Sequence, residues 1–206
     1  LRDGEVYTVT YSVADLVVAT RLDAWPEAGR LVRPRGVLRM FLRRDELSKA
    51  REPLRALTAA GAEITPGEDA VMVTWKQRST ERTGVWSHQY GLADNSAFGG
   101  ETLCGASTAG RLAVQWIGRP GPRAQADRNG RKPSPLAIGG RLFMQGLHRI
   151  IAIDAYNGAI LWSLEIPHFE RFSIPRDSSN WCADAAHVFA AIRGRCWRID
   201  ATDGRV

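Results

Sequence analysis

Four sets of side chains in this chain are of types that could do chemistry, and the spacing around each decides what chemistry is open to it. His88 sits in Trp86-Ser-His-Gln-Tyr90. A general base needs an acid, thiol or hydroxyl partner held at a fixed distance; none stands at a recognisable spacing, so His88 is read as structural. Cys104, Cys182 and Cys196 lack the paired spacing of a zinc site or a disulfide framework and are read as small buried apolar groups. Arg119, Arg123, Arg128, Arg131 and Arg176 lie in two long loops, where binding residues concentrate. They could form an anion-binding rim or simply be solvated. Asp154 and Asp200 are each followed, at the same separation, by a glycine, Gly158 and Gly204. A catalytic carboxylate is needed once, whereas a turn carboxylate is needed wherever its turn is made. The recurrence therefore marks turn residues, in which Asp accepts amide hydrogens and Gly takes a positive φ. No catalytic residue and no metal-ligating set is assigned.

The elements that position these residues form a repeat. Shifted by 46 positions, Ala137, Phe143, Arg149, Ile153, Asp154, Ala155 and Gly158 fall on Ala183, Phe189, Arg195, Ile199, Asp200, Ala201 and Gly204 without a gap. The same shift carries Trp116 onto Trp162. Inside each copy, two runs rich in β-branched and aromatic residues flank a polar break, as at Gly146-Leu-His-Arg149, which predicts a hairpin. A period of about 40–45 residues made of short strands is the pattern of a β-propeller array, whose blades must stack to bury their faces. The chain holds about two blades, and closure takes roughly 4–8, so it is expected to be a piece of something larger.

Ala152-Ile-Asp154-Ala-Tyr-Asn157-Gly158-Ala-Ile-Leu-Trp162 resembles the tryptophan-docking motif of the pyrroloquinoline-quinone-type (PQQ-like) propeller repeat, Ala-x-Asp-x-x-Thr-Gly-x-x-x-Trp. Asn157 replaces the usual Thr, and the second copy carries Arg198 where Ala is expected. Lys132-Pro-Ser-Pro and the following strand resemble the family's blade opening, and Trp86 to Ala97 resembles its lead-in. The resemblance covers residues 86–206, with a lead-in over 86–135 and repeats at about 136–181 and 182–206. It implies structural roles for Trp116, Asp154, Gly158, Trp162, Asp200 and Gly204, and a protein or small-molecule ligand on the propeller loops. The family's dehydrogenases hold PQQ and Ca²⁺ beside an adjacent Cys-Cys pair. This chain has no such pair, so PQQ is not expected here, and a quinoprotein dehydrogenase stands as an alternative.

Residues 1–77 follow another pattern. Tyr11 to Ala19 leads into an apolar run that suits a strand buried on both faces, as in a parallel sheet. A short helix from Pro26, a turn at Pro34-Arg-Gly36, a strand over Val37–Leu42, a helix ending at Gly61 and a hairpin ending at Trp75 give the order β-α-β-α-β-β. Arg33-Pro-Arg-Gly-Val-Leu38, between Asp15-Leu-Val-Val18 and that late hairpin, resembles the C-terminal half of a class I S-adenosylmethionine (SAM)-dependent methyltransferase. The family turn reads Leu-Arg-Pro-Gly-Gly-x-Leu, and Arg35 takes the first Gly position. The resemblance implies that Ala19 and Thr20 edge a SAM pocket. The Gly-rich turn that holds the cofactor in that family follows its first strand and is not in this sequence. Residues 1–206 are thus expected to bind neither cofactor alone, with SAM a cofactor of a longer parent.

The fold class expected is two-part: a partial Rossmann-like α/β domain over 1–77, a polar linker over 78–85, and a partial all-β propeller over 86–206. At 44% apolar and 24% charged the composition is globular, and no apolar run reaches the 18 residues of a membrane span. A net charge of +6 raises nucleic-acid binding as a further alternative. The arginines are dispersed among acids rather than clustered, so nucleic acid is not the expected partner. The remainder of the same chain is expected to complete both domains. The methyltransferase resemblance implies the cytoplasm and the propeller an extracytoplasmic site, and localisation stays open between them.

Overall fold

Successive side chains of a strand point to opposite faces, and along Val37-Leu-Arg-Met-Phe-Leu42 in the computed structural model Leu38, Met40 and Leu42 are fully buried while Arg39 and Phe41 face outward. The structure describes residues 14–43, 45, 51–77, 83–102, 106–111, 114–118, 134–169 and 179–206. It is mostly β-sheet with few helices, and the chain divides into two compact units, Leu1–Thr80 and Glu81–Val206. No helix among the described residues is long and apolar enough to cross a membrane.

In the first unit, β1 (Ala14–Ala19) pairs in parallel with β2 (Val32–Arg43), and helix α1 (Trp25–Leu31) forms the crossover. Helix α2 (Arg51–Ala59) leads to β3 (Glu63–Pro66) and β4 (Ala70–Lys76), which pair antiparallel. β4 also pairs antiparallel with β2, so it lies between β2 and β3 and the sheet order is β1-β2-β4-β3. Ala28 of α1 and Leu57 of α2 join Val32, Leu38, Met40, Leu42, Val71 and Val73 in one core. Trp25 and Trp75 meet edge to face at 4.9 Å against that core, and the Trp75 indole donates to the Ala60 carbonyl at 3.2 Å.

Two local expectations are corrected. β1 is not buried on both faces: Leu16 and Val18 are 52% and 58% exposed, because both helices pack on the opposite face of the sheet. The Pro34-Arg-Gly36 turn does not precede a strand but lies inside β2 as a bulge. Register passes from Ala14↔Val32 to Leu16↔Val37, Arg35 stands at φ 67°, and its N–H donates to the Gln77 carbonyl at 3.2 Å. Gly36 is required there, since a Cβ would lie 2.8 Å from the Arg33 carbonyl oxygen and 3.0 Å from that of Asp15.

In the second unit, β5 (Leu136–Ile138), β6 (Arg141–Gly146), β7 (Arg149–Asp154) and β8 (Ile160–Glu165) form a four-stranded antiparallel meander. β9 (Trp181–Ala183), β10 (His187–Ile192) and β11 (Arg195–Asp200) form a three-stranded antiparallel sheet. Both sheets bury one shared core, in which Leu136, Phe143, Ile150 and Trp162 from the first meet Trp181, Val188, Ala190 and Ile199 from the second. Face-to-face sheets of this kind are compatible with part of a β-propeller.

Candidate functional site

The repeated turn is built from its carboxylate outward. Asp154, 1% exposed, ends β7, and its Oδ1 accepts the Tyr156 N–H at 2.8 Å and the Asn157 N–H at 3.2 Å. The Gly158 N–H returns to the Asp154 carbonyl at 2.9 Å, with Gly158 at φ 73°. One period on, Asp200 Oδ1 accepts from Thr202 at 2.7 Å and Asp203 at 3.2 Å. The Gly204 N–H donates to the Asp200 carbonyl at 3.0 Å, with Gly204 at φ 76°. These amide donors, Thr202 first, hold the Asp200 carboxyl below its ordinary range.

Each turn is covered by the tryptophan of the preceding copy. The Trp162 indole donates to the Ala201 carbonyl at 3.1 Å, and a Cβ on Gly204 would stand 2.9 Å from its ring. Trp116 repeats the arrangement upstream, donating to the Ala155 carbonyl at 2.9 Å, with a Cβ on Gly158 falling 2.4 Å from its ring. The donor-to-acceptor separation is 39 residues in both.

The other residues singled out from sequence are not gathered with these. Ala19 ends β1, partly buried against the first unit's core, and Thr20 next to it is exposed. Arg119, Arg123, Arg128, Arg131 and Arg176, the anion-rim residues, lie outside the described residues, as does Cys104. Cys196 is exposed rather than buried, and Cys182 is half-buried. The two thiols stand on β11 and β9, one on each side of β10.

What sequence reading missed is a cleft of about 410 Å³ between the lead-in segment and the β9–β11 sheet, lined by His88, Asn180, Trp181, Cys182, Phe189 and Cys196 among others. The lead-in is held against the edge strands β5 and β9 by Trp86–Ala137 backbone bonds at 2.8 Å in both directions and by the Ala183 N–H donating to the Ser87 carbonyl at 2.9 Å. His88 does have a hydroxyl neighbour, Ser87 Oγ, 2.9 Å from its Nδ1. Burial, followed by Cys196 and Asp184, pushes the Cys182 thiol up. The available signal was the reappearance of Ala137 as Ala183, the two residues that the lead-in bonds on β5 and β9.

No protein-family model matches this chain, and no curated protein matches it. Among solved structures it is similar to a europium-containing methanol dehydrogenase, at 19% identity and a TM-score of 0.27. The match covers 36% of this chain and 14% of that one.

Proposed function

We propose that the Glu81–Val206 unit is part of a propeller array of the PQQ-like kind that serves as a binding or assembly platform, and that the preceding unit is the C-terminal half of a SAM-dependent methyltransferase-like domain. The observation that carries the first reading is the repeated docking of Trp116 on the Gly158 turn and Trp162 on the Gly204 turn. It joins one copy to the next by the same two contacts, which is how a stacked array is built. The carboxylates that recur are engaged by amides of their own turns, so they serve the scaffold.

The second reading is supported by the strand order β1-β2-β4-β3, in which a parallel pair joined by a helix is followed by an antiparallel strand inserted before the last. The methyltransferase resemblance includes a late hairpin that adds an antiparallel strand.

Calorimetry of the full chain with SAM, and separately with PQQ and Ca²⁺, tests this assignment of roles. No binding in the micromolar range is the expected result, together with no alcohol-dependent reduction of a dye. Turnover in the dye assay would replace the platform reading by the quinoprotein one.

A further inference from the structure

We propose that the outer edge of β11 binds an extended, acidic segment of a partner polypeptide as an antiparallel strand, with carboxylates opposite Arg195 and Arg198. This rests on the platform reading and deepens it, naming the edge that takes the partner and the chemistry that the partner presents.

The first sheet of the unit shows what such an edge accepts. β7 pairs on one side with β6 and on the other with β8, in the register Arg149↔Glu165, Ile150↔Leu164, Ile151↔Ser163 and Ala152↔Trp162. One period on, β11 holds the place of β7, pairs with β10 and ends its sheet. Among the described residues no strand pairs with its other side. The Arg205 carbonyl accepts the Asp200 N–H at 2.7 Å, as the Ala159 carbonyl accepts that of Asp154 at 2.8 Å. The stretch 195–199 is left open, and the backbone groups along an open edge are a template for a further strand.

The side chains along that stretch select the partner. Arg193, Arg195 and Arg198 are exposed, and none of them meets a carboxylate among the described residues. From His187 to Asp200 the only acid is Asp200, and amides of its own turn engage its carboxylate. In the first sheet the counterpart of Arg195 is Arg149, which β8 holds: it donates to Ser163 Oγ at 2.8 Å and lies 3.7 Å from Glu165. A carboxylate opposite Arg195 repeats that contact.

Arg198 stands where Ala152, fully buried, faces Trp162. The pairing of a small residue with a tryptophan is therefore not repeated on β11, and a guanidinium at that place is complemented by a second carboxylate. Two β11 edges would bring arginines together, and like charges across strands are unfavourable. The occupant is thus an acidic strand rather than the same edge of a second copy.

The test is titration of the full chain with a fluorescein-labelled peptide of residues 159–166 carrying Trp162→Glu, read by fluorescence anisotropy. That peptide sets acids opposite both arginines, and it cannot replace β8, whose Trp162 is buried. The expected result is saturable binding, with amide hydrogen exchange slowed along β11 and unchanged along β8. Arg195→Glu combined with Arg198→Glu should weaken binding several-fold, and a peptide with Trp162→Arg and Glu165→Arg should regain it in that variant. Arg195→Gln combined with Arg198→Gln removes the same charges should the first variant misfold. Absence of saturable binding, equal binding by the folded variants, or exchange slowed at β8 in place of β11 would overturn the proposal. Self-association of the chain that the same substitutions abolish would overturn it too, by making a second copy the occupant. None of these results bears on the Trp162–Gly204 docking, which is measured by stability alone.

Discussion

Trp162 lies over Gly204 so closely that a Cβ on the glycine would stand 2.9 Å from two atoms of the indole, while the indole N–H donates to the Ala201 carbonyl at 3.1 Å. The glycine is required twice over, once by φ 76° and once by the ring above it. Trp116 and Gly158 stand in the same relation with a tighter approach, 2.4 Å. The contact therefore sets which residue each copy can place at its turn and which it must send to its neighbour.

Gly158→Ala is expected to cost about 2–4 kcal/mol, of which about 1–2 kcal/mol is the left-handed backbone and the rest displacement of the ring. In a Trp116→Ala background the steric part has no source, so the same substitution should cost only the backbone part. Denaturant midpoints of the four proteins in this cycle measure the coupling. Equal costs in both backgrounds would mean that the indole does not confine the turn.

Trp162→Ala should destabilise the second unit by about 3–5 kcal/mol, the range for removing a buried aromatic side chain. The ring is 9% exposed and packs at 5.8 Å from Phe143. Trp162→Phe keeps most of the apolar contact but loses the donor to Ala201, for a cost of about 1 kcal/mol beyond the lost area. A thermal melt unchanged by Trp162→Ala would contradict the docking.

Acid should weaken the second unit through its turn carboxylates. The Asp200 carboxyl is lowered by the amide N–H groups of Thr202 and Asp203, and that of Asp184 by those of His187 and Ala186. A folded-state pKa below the unfolded one means that the folded form binds protons less readily. The stabilisation is complete above the ordinary Asp value of about 3.9 and is lost as pH falls through the depressed folded values. Melting temperatures taken across that acid range should drop, and Asp200→Asn should make the drop shallower. An identical acid profile in Asp200→Asn would remove Asp200 from this account.

Arg35→Gly should stabilise the first unit. Relief of the left-handed conformation at φ 67° is worth about 1–2 kcal/mol, and the added freedom of glycine in the unfolded chain takes back about 0.5–1 kcal/mol. The net gain expected is about 0.5–1 kcal/mol, because the N–H bond from residue 35 to the Gln77 carbonyl is a backbone bond and survives the change. A lower denaturant midpoint in the variant would show that the Arg35 side chain stabilises the bulge by more than its backbone costs.

The sequence by itself determined what repeats and what is local. A separation of four residues between Asp154 and Gly158, found again at Asp200 and Gly204, specifies a turn because carboxylate and amides are neighbours along the chain. The exposure of Leu16 and Val18 was decided by tertiary structure, since an apolar run does not say which face the helices will cover. Arg35 at a positive φ was decided there too: the residue type argues against it, and the pairing of β2 with both β1 and β4 imposes it. The cleft is the furthest from any sequence signal. His88 is far in the chain from Cys182 and Cys196, and what brings it to their sheet is backbone pairing of the lead-in with the edge strands β5 and β9, a contact made by N–H and C=O groups that nearly every residue carries alike.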